Sequence, residues 1–198
     1  AHVDDHSNLF QKAKQAFFGF FESVDDSEVA NSLFSAASDW GANQGMEEIL
    51  GPFNFSTNDE CGLLIEGFDT PPMILMTYNP PYYQRLIEGA GFKKAHDLFA
   101  YRLDRTAEPP KPVVDISEAL KRNHRIKIRN WDFKNLRREL HRFLKIYNEA
   151  WNRNWGFVPL DKEELFQHQL EFKLLLDPDI TFFAEVESDP AGFALSLP

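Results

Sequence analysis

The stretch Gly51-Pro52-Phe53-Asn54-Phe55-Ser56-Thr57-Asn58-Asp59-Glu60 is the most distinctive part of this sequence. It mixes aromatic rings with hydrogen-bonding side chains, and Gly-Pro punctuation is typical of a turn or loop. We predict a loop, because Asn, Asp, Ser and Thr side chains bond nearby backbone groups and so favour turns. Loops also carry binding residues more often than strands do. The sequence therefore leaves two interpretations open: the loop orients a polar substrate, or it satisfies only its own backbone.

Regular elements are predicted on both sides of this loop. Upstream, the apolar runs 17–21 and 46–52 are strand candidates, and a helix with Asp26 near its start lies between them. Downstream, residues 63–65, 73–76 and 92–103 are strand candidates. A helix beginning at Asn79-Pro80-Pro81 and ending near Gly89 precedes the last of these, because Asn caps helices and Pro fits their first turn.

A proline-rich stretch divides this region from the rest of the chain. Pro109, Pro110 and Pro112 stand among charged residues, and we predict a linker over residues 105–115. The elements predicted after it are a short helix over 117–123, a strand over 125–129, a long amphipathic helix over 136–151, a helix opened by Asp161, and a β-hairpin over 180–197. The predicted class is mixed α/β, with helices packed on a largely antiparallel sheet.

Composition narrows the function classes. Of the 198 residues, 43% are hydrophobic, and the single cysteine excludes a disulfide within the chain. No apolar run approaches the ~18 residues of a membrane span, so we expect a cytoplasmic protein with no membrane partner. The formal net charge of −10 argues against nucleic acid as the main partner. Residues 121–145 nevertheless form a local basic cluster, which is either a solvated face or a phosphate-binding face.

Three parts of the chain resemble the GNAT superfamily of acyl-CoA-dependent N-acyltransferases, in particular a bacterial subgroup with two copies per chain. Leu86-Ile87-Glu88-Gly89-Ala90-Gly91-Phe92 is similar to the closing helix and strand of such a domain. The polar-aromatic stretch 51–60, with Tyr78-Asn79-Pro80-Pro81 downstream, is similar to the tandem subgroup. The segment from Ile146 through Trp155-Gly156-Phe157-Val158-Pro159-Leu160 resembles the opening of a second copy.

The resemblance implies a domain organisation and a reaction. Residues 1–104 would be the end of a first copy, residues 105–115 the linker, and residues 116–198 the start of a second copy. The implied reaction is transfer of an acyl group from acetyl-CoA or another acyl-CoA to an amine acceptor, a small molecule or a peptide. For the acceptor we predict a site formed by Asn58, Asp59, Glu60, Tyr78 and Asn79.

Two departures from the GNAT pattern oppose catalysis by this stretch alone. The segment 22–28, which corresponds to the glycine-rich CoA loop, has no glycine and carries Glu22, Asp25, Asp26 and Glu28. Carboxylates there would repel a pyrophosphate. Ile87 stands where many GNAT enzymes have a proton-donating Tyr, although Tyr82 and Tyr83 lie about one turn earlier. The catalytic residues therefore stay unknown, and a non-catalytic binding or scaffolding module is the alternative function.

Other candidate sites are weaker. Cys61 beside Asp59 and Glu60 is a possible nucleophile, with His96, His124, His141 or His168 as base, but nearby acids oppose thiolate formation. His2 and His6 have metal-ligand spacing on a helix but no third ligand cluster, so we predict no metal site. Each half would leave an open sheet edge, and such edges recruit further strands. We therefore expect the two halves to pack on each other across the proline-rich stretch; self-association through the open edges is the alternative.

Overall fold

The computed structural model describes residues 1–104, 106–167 and 169–197. The chain forms two compact units. The first unit comprises Ala1–Phe99 together with Arg153–Pro159, and the second comprises Ala100–Asn152 with the chain from Leu160 onward. Helices pack on small sheets, whose pairings are mostly antiparallel, so the predicted mixed α/β class is confirmed.

The first unit is built on a three-stranded sheet in the order β1-β2-β3. Strand β1 (His2–Val3) pairs antiparallel with β2 (Gln15–Phe17), which pairs parallel with β3 (Glu48–Leu50). Helix α1 (Asp5–Gln11) connects β1 to β2, and helix α2 (Ser27–Asn43) connects β2 to β3. Because β2 and β3 are parallel, both strands deliver the chain to the same edge of the sheet.

Helix α2 confirms the predicted helix between the two strands. Its N-cap is Asp26, whose Oδ1 accepts hydrogen bonds from the amides of Glu28 at 2.8 Å and Val29 at 3.3 Å. A cap of this kind stabilises a helix by about 1 kcal/mol. The amide groups at the start of α2 are therefore used by the chain's own carboxylate.

The core of the first unit is rich in aromatic rings. Helix α3 (Tyr82–Gly89) was predicted at this place and packs against α2. The rings of Phe18 and Phe34 meet edge to face at 5.3 Å, and Phe92 contacts Phe34 at 5.0 Å in the same way. Edge-to-face geometry is a favoured arrangement for such rings. The buried core residues are Phe18, Ala30, Phe34, Tyr83, Leu86 and Ile87.

The second unit has a three-stranded antiparallel sheet in the order β4-β5-β6. Its strands are β4 (Ile126–Asn130), β5 (Phe182–Val186) and β6 (Asp189–Ala194). The predicted hairpin is confirmed, but its turn lies at Glu187-Ser188, earlier than predicted. Both turn residues have positive φ, 52° and 78°, which is the geometry of a tight two-residue hairpin turn.

In its described residues, the second unit has the α-helices α4 (Lys111–Arg122), α5 (Leu136–Trp151), α6 (Lys162–Gln167) and α7 (Gln169–Leu175). Helix α4 begins inside the stretch 105–115, of which residue 105 lies outside the described part of the chain. It includes residues 117–122 of the short helix predicted at 117–123, and Asn123 is its C-cap. Proline in the first turn of a helix costs no hydrogen bond, which is why Pro112 does not prevent α4. The buried core consists of Trp131, Leu140, Phe143, Leu165, Leu176 and Phe183.

Three predicted strands of the first unit are wrong, because residues 63–65, 73–76 and 92–103 lie in irregular structure. The backbone of Leu64 bonds a side chain instead of a strand: Asn79 Oδ1 accepts from its amide at 2.8 Å, and Asn79 Nδ2 donates to its carbonyl at 3.2 Å. In the run 73–76, Leu75 has a φ of 63° and the amide of Met76 closes a turn onto Met73. Beyond Phe92, no described strand pairs with residues 93–103.

Candidate functional site

The polar loop, residues 53–61, follows strand β3 at the edge where β2 and β3 both end. In α/β sheets, ligands bind outside the carboxyl ends of parallel strands. The chain after β2 lies close to the loop: the amide of Phe53 donates to the carbonyl of Phe18 at 2.8 Å, and Asn54 Oδ1 accepts from the amide of Phe20 at 2.7 Å. A Cβ on Gly19 would lie 1.7 Å from the carbonyl oxygen of Phe53, so only glycine fits there. The fold thus brings two loops together at this edge.

Much of the hydrogen-bonding capacity of the polar loop is used within the loop. Asp59 Oδ2 accepts from the hydroxyl of Ser56 at 2.9 Å and from its amide at 3.2 Å. Asn54 Nδ2 donates to Glu60 Oε2 at 2.9 Å, and the amide of Asn58 donates to Ser56 Oγ at 3.1 Å. These contacts favour the interpretation in which the loop satisfies its own backbone and side chains.

A distant segment, Arg153–Pro159, packs on the polar loop as part of the first unit. Thr57 Oγ1 donates to the carbonyl of Gly156 at 2.7 Å, and Asn58 Nδ2 donates to that of Val158 at 3.1 Å. Phe157 is buried, and its carbonyl accepts from Gln11 Nε2 at 2.6 Å. The structure therefore joins two of the three sequence stretches that resemble the GNAT subgroup.

Tyr78 and Asn79, the other predicted site residues, lie in the same unit but differ in exposure. Asn79 is buried, and its side-chain Oδ1 and Nδ2 both bond the backbone of Leu64. Its side-chain amide therefore has a structural role. Tyr78 is exposed, and its hydroxyl donates to the carbonyl of Phe68 at 3.3 Å. Of the predicted acceptor residues, Asp59 and Tyr78 are the exposed ones. The acceptor site on these residues stays a prediction.

Two exposed aromatic residues, one in the polar loop and one next to it, were not selected from the sequence. Phe20 and Phe55 are 64% and 62% exposed, and their rings contact each other at 5.2 Å. Both have positive φ, 49° and 89°, which is uncommon for bulky residues and costs free energy. Strained backbone of this kind is concentrated at binding and active sites. A sequence gives no sign of positive φ at phenylalanine, which explains why this pair was missed.

The acidic segment 22–28 is held by helix α3. Arg85 forms an ion pair with Asp25 and contacts Ser27 Oγ at 3.4 Å. Since Asp26 also caps α2, carboxylates occupy the place where a pyrophosphate would need free amide groups. The residues present do not fit a CoA pyrophosphate at the start of α2.

Tyr82 and Tyr83, the alternative proton donors, both face this segment. The hydroxyl of Tyr83 donates to Glu22 Oε2 at 2.7 Å and accepts from the amide of Ser23 at 3.0 Å, while Tyr82 donates to the carbonyl of Ser23 at 2.9 Å. Burial, and then the hydrogen bond to Glu22, raises the pKa of Tyr83. The contacts are those of core residues that anchor a loop.

The weaker candidates gain no support from their surroundings. Burial, and then the charge of Asp59, raises the pKa of Cys61, which opposes thiolate formation. The predicted base His168 lies outside the described residues. His2 lies in β1 and contacts the carbonyl of Phe55 at 2.8 Å, whereas His6 lies in α1. The two histidines therefore do not share the helix that a metal site between them would need.

The second unit contains a buried ion-pair network that sequence analysis missed. Glu139 is fully buried and accepts from Arg129 at 2.7 Å. Glu185 accepts from Arg129 at 2.8 Å and from Arg142 at 2.9 Å, and Arg142 Nη1 lies 3.5 Å from Glu139. The sequence shows only a basic cluster, because the pairing of Arg129 with Glu185 depends on the β4-β5 register. Arg129 and Arg142, two cations of the basic cluster at residues 121–145, thus have a structural role.

Two curated proteins are similar to most of the chain. Bacterial ceramide synthase of Caulobacter vibrioides (strain NA1000 / CB15N) is 38% identical over 183 residues, which are 91% of this chain and 47% of that protein. Protein YghO of Escherichia coli (strain K12) is 37% identical over 186 residues, which are 91% of this chain and 46% of that protein. The chain spans about half the length of these curated relatives.

Other comparisons do not extend this result. No family model matches the chain, and no solved structure matches it significantly. Within the part of the chain that the structure describes, no helix combines the length and apolar character needed to cross a bilayer.

Proposed function

We propose that the protein carrying this chain transfers an acyl group from an acyl-CoA thioester to the amine of a long-chain amino alcohol. The observation that carries this proposal is the 38% identity over 183 residues to a protein named Bacterial ceramide synthase. A ceramide is a fatty amide of a long-chain amino alcohol, so that name denotes formation of an N-acyl bond. The resemblance to N-acyltransferases implies the same type of bond. That resemblance is carried by residues 51–60, 86–92 and 146–160.

The proposed reaction balances without a further reactant. A base takes a proton from the ammonium group of the acceptor, and the free amine attacks the carbonyl carbon of the thioester. Backbone amide groups stabilise the negative charge that develops on the carbonyl oxygen. The C–N bond forms, the C–S bond breaks, and the CoA thiolate takes up a proton. No side chain of this chain is assigned to these steps.

The surface around the polar loop supports a long-chain acceptor. Phe20 and Phe55 present apolar rings to solvent directly beside the polar groups of residues 56–60. An amino alcohol with a hydrocarbon tail has the same two characters, a polar head and an apolar tail. We infer that the tail lies on the two rings and the polar head lies toward Asp59.

The test uses purified protein of the relatives' length that contains this chain. Release of CoA thiol from a long-chain acyl-CoA is measured with long-chain and short-chain amino alcohols. We expect turnover with the long-chain acceptor, and about a tenfold rise in KM for that acceptor in Phe20→Ser/Phe55→Ser, because two apolar contacts are lost. Leu9→Ser is the matched control, since Leu9 is 80% exposed and lies in the same unit on helix α1, outside the polar loop.

Three results would contradict the proposal at different points. Absence of thiol release with every amine would contradict acyl transfer itself. Equal turnover with short-chain acceptors would contradict the long-chain class. An equal rise in KM for Leu9→Ser would show that the ring pair has no specific part.

A non-catalytic module is a second candidate, and one observation favours it. The amides at the start of α2 are capped by Asp26, at the place where the resemblance to N-acyltransferases would put the CoA pyrophosphate. Under this alternative, Asn58→Ala/Asp59→Ala in the longer protein lowers stability and activity together. An activity loss at unchanged stability would instead place these residues in an acceptor site.

A further inference from the structure

The first turns of helix α5 carry a groove that the proposed reaction does not use. This basic groove has a volume of about 510 Å³ and is lined by Lys134, Asn135, Leu136, Arg137, Arg138 and His141. Arg137, Arg138 and His141 lie on one side of α5, because residues three and four apart on a helix are neighbours. Lys134 lies in the short 3-10 helix Phe133–Asn135 directly before α5. The groove is shallow and open to solvent, with three permanent positive charges on Lys134, Arg137 and Arg138.

Most of this charge is not neutralised nearby. Arg138 lies 3.4 Å from Asp132 and 3.6 Å from Glu139. In the described part of the chain, no carboxylate lies within ion-pair distance of Lys134 or Arg137. This differs from Arg129 and Arg142 in the same basic cluster, which the buried network neutralises. Among the described residues, a chain of net charge −10 thus places Lys134 and Arg137, each without a carboxylate at ion-pair distance, in one groove.

The lining of the groove includes one apolar residue, Leu136, and two of its polar lining residues contact an aromatic ring outside it. The guanidinium of Arg137 lies 5.1 Å from the ring centroid of Phe166, and the His141 ring lies 4.6 Å from it. Leu136 also lines the groove and packs against the core. A surface with cations beside an apolar wall residue, Leu136, matches an amphiphile with an anionic head.

We propose that the basic groove docks the protein on a bilayer by holding the phosphate of an anionic lipid headgroup. Charge complementarity and the apolar wall residue Leu136 support an anionic amphiphile. The choice of a lipid rests on the proposed function, whose acceptor and product are both lipids. The expectation of no membrane partner was based on the lack of a long apolar run in the sequence; a groove at the protein surface can bind a headgroup without a membrane-spanning segment.

The test is co-sedimentation of the 198-residue chain with vesicles, in the absence of acyl donor and amine. We expect binding to vesicles of phosphatidylcholine and phosphatidylglycerol in equal parts, weak binding to phosphatidylcholine alone, and loss of binding at high salt. Each cation near an anionic surface strengthens binding by about fivefold, so Lys134→Gln/Arg137→Gln should weaken it by about 25-fold.

The matched control is Lys121→Gln/Lys127→Gln, which removes two exposed cations of the same basic cluster outside the groove. An equal loss of binding in this control would overturn the groove as the docking site. Failure of the unchanged chain to bind the anionic vesicles would overturn the proposal directly. Release from vesicles by inorganic phosphate or by CoA at constant ionic strength would show that the groove takes a free phosphate instead of a lipid.

The readouts separate this proposal from the proposed function. Vesicle binding without amide formation by the longer protein would contradict only the acyl-transfer reaction. Amide formation without vesicle binding would contradict only the groove.

Discussion

At the scale of single residues, Gly19 is the position that most constrains the edge of the first sheet. A Cβ there would lie 1.7 Å from the carbonyl oxygen of Phe53 and 2.5 Å from its carbonyl carbon. Both are backbone atoms fixed by the pairing of Phe53 with Phe18, so they cannot move aside without breaking that bond. The glycine allows the two loops at this edge to touch.

We predict that Gly19→Ala lowers the free energy of unfolding by about 3 kcal/mol, because overpacking against backbone forces the loops apart. Denaturant titration of the purified chain measures this. Gly89→Ala is the control, because a Cβ on Gly89 would meet no atom within 4 Å. Similar stabilities of the Gly19 variant and the original chain would mean that the loops are not held in contact.

Tyr83 gives a second prediction at this scale. Its pKa is raised in the folded state by burial and by the hydrogen bond to Glu22. The stabilisation is therefore complete below the unfolded pKa of about 10 and is lost as the pH rises through the folded value. Urea unfolding between pH 8 and pH 11 should show this loss, and Tyr83→Phe should reduce it.

Tyr82→Phe is the control for this pH dependence, because it removes a neighbouring hydroxyl and leaves Tyr83 in place. It should keep the decline in stability at high pH. A decline of equal size in Tyr83→Phe would show that another group is responsible.

At the scale of elements, sequence patterns predicted helices far better than strands. The cap at Asp26 and the periodicity after it predict α2 from local information alone. Strands depend on partners that are distant in sequence. The runs 63–65 and 73–76 are apolar enough to form strands, but Asn79 occupies the backbone of Leu64 and nothing in the local sequence reveals this.

The candidate site shows the same difference between features that depend on local sequence and features that depend on distant contacts. The sequence predicts a polar loop at 53–59, since Asn, Asp and Ser favour turns by bonding nearby backbone groups. It cannot predict that Thr57 and Asn58 bond a segment about a hundred positions later, because that contact depends on the tertiary fold. The Phe20–Phe55 pair and the Arg129–Glu185 pairing were missed for the same reason.

Helix α5 contributes the most consequential buried charge. Glu139 is fully buried between Arg129 and Arg142. Removing one partner of a buried pair leaves an uncompensated charge, which typically costs about 3 kcal/mol or more. We therefore predict that Glu139→Gln lowers the free energy of unfolding by about 3 kcal/mol.

The control on the same helix is Glu149→Gln, because Glu149 is exposed and its substitution should change stability by less than about 0.5 kcal/mol. Urea titration of both variants distinguishes the two positions. Equal, small effects would mean that the network is solvated and not buried.

At the scale of the whole molecule, the first unit is discontinuous in sequence. It needs residues 153–159, which come after the stretch 105–115. A protease site inserted between Ala107 and Glu108 should therefore give two fragments that co-elute in gel filtration, because the later fragment carries residues 153–159, with the buried Phe157, which belong to the first unit. Fragments that elute separately would contradict this organisation.

Gly156 supplies the control for this experiment. It has a φ of 66°, and a Cβ there would lie 2.9 Å from Thr57 Cγ2. Gly156→Val should weaken the docking of residues 153–159, so that the cleaved fragments separate. Continued co-elution of this variant would mean that other contacts hold the fragments together.

The central claim is that the protein carrying this chain forms an amide between an acyl group and a long-chain amine. The most direct measurement is mass spectrometry of a reaction with a carbon-13-labelled acyl-CoA and a nitrogen-15-labelled long-chain amino alcohol, catalysed by protein of the relatives' length. The account predicts one product that contains both labels, joined through the nitrogen, and an equal amount of free CoA. Labelled free fatty acid with no doubly labelled product would contradict it, because the thioester would then have been hydrolysed and the amine left unused.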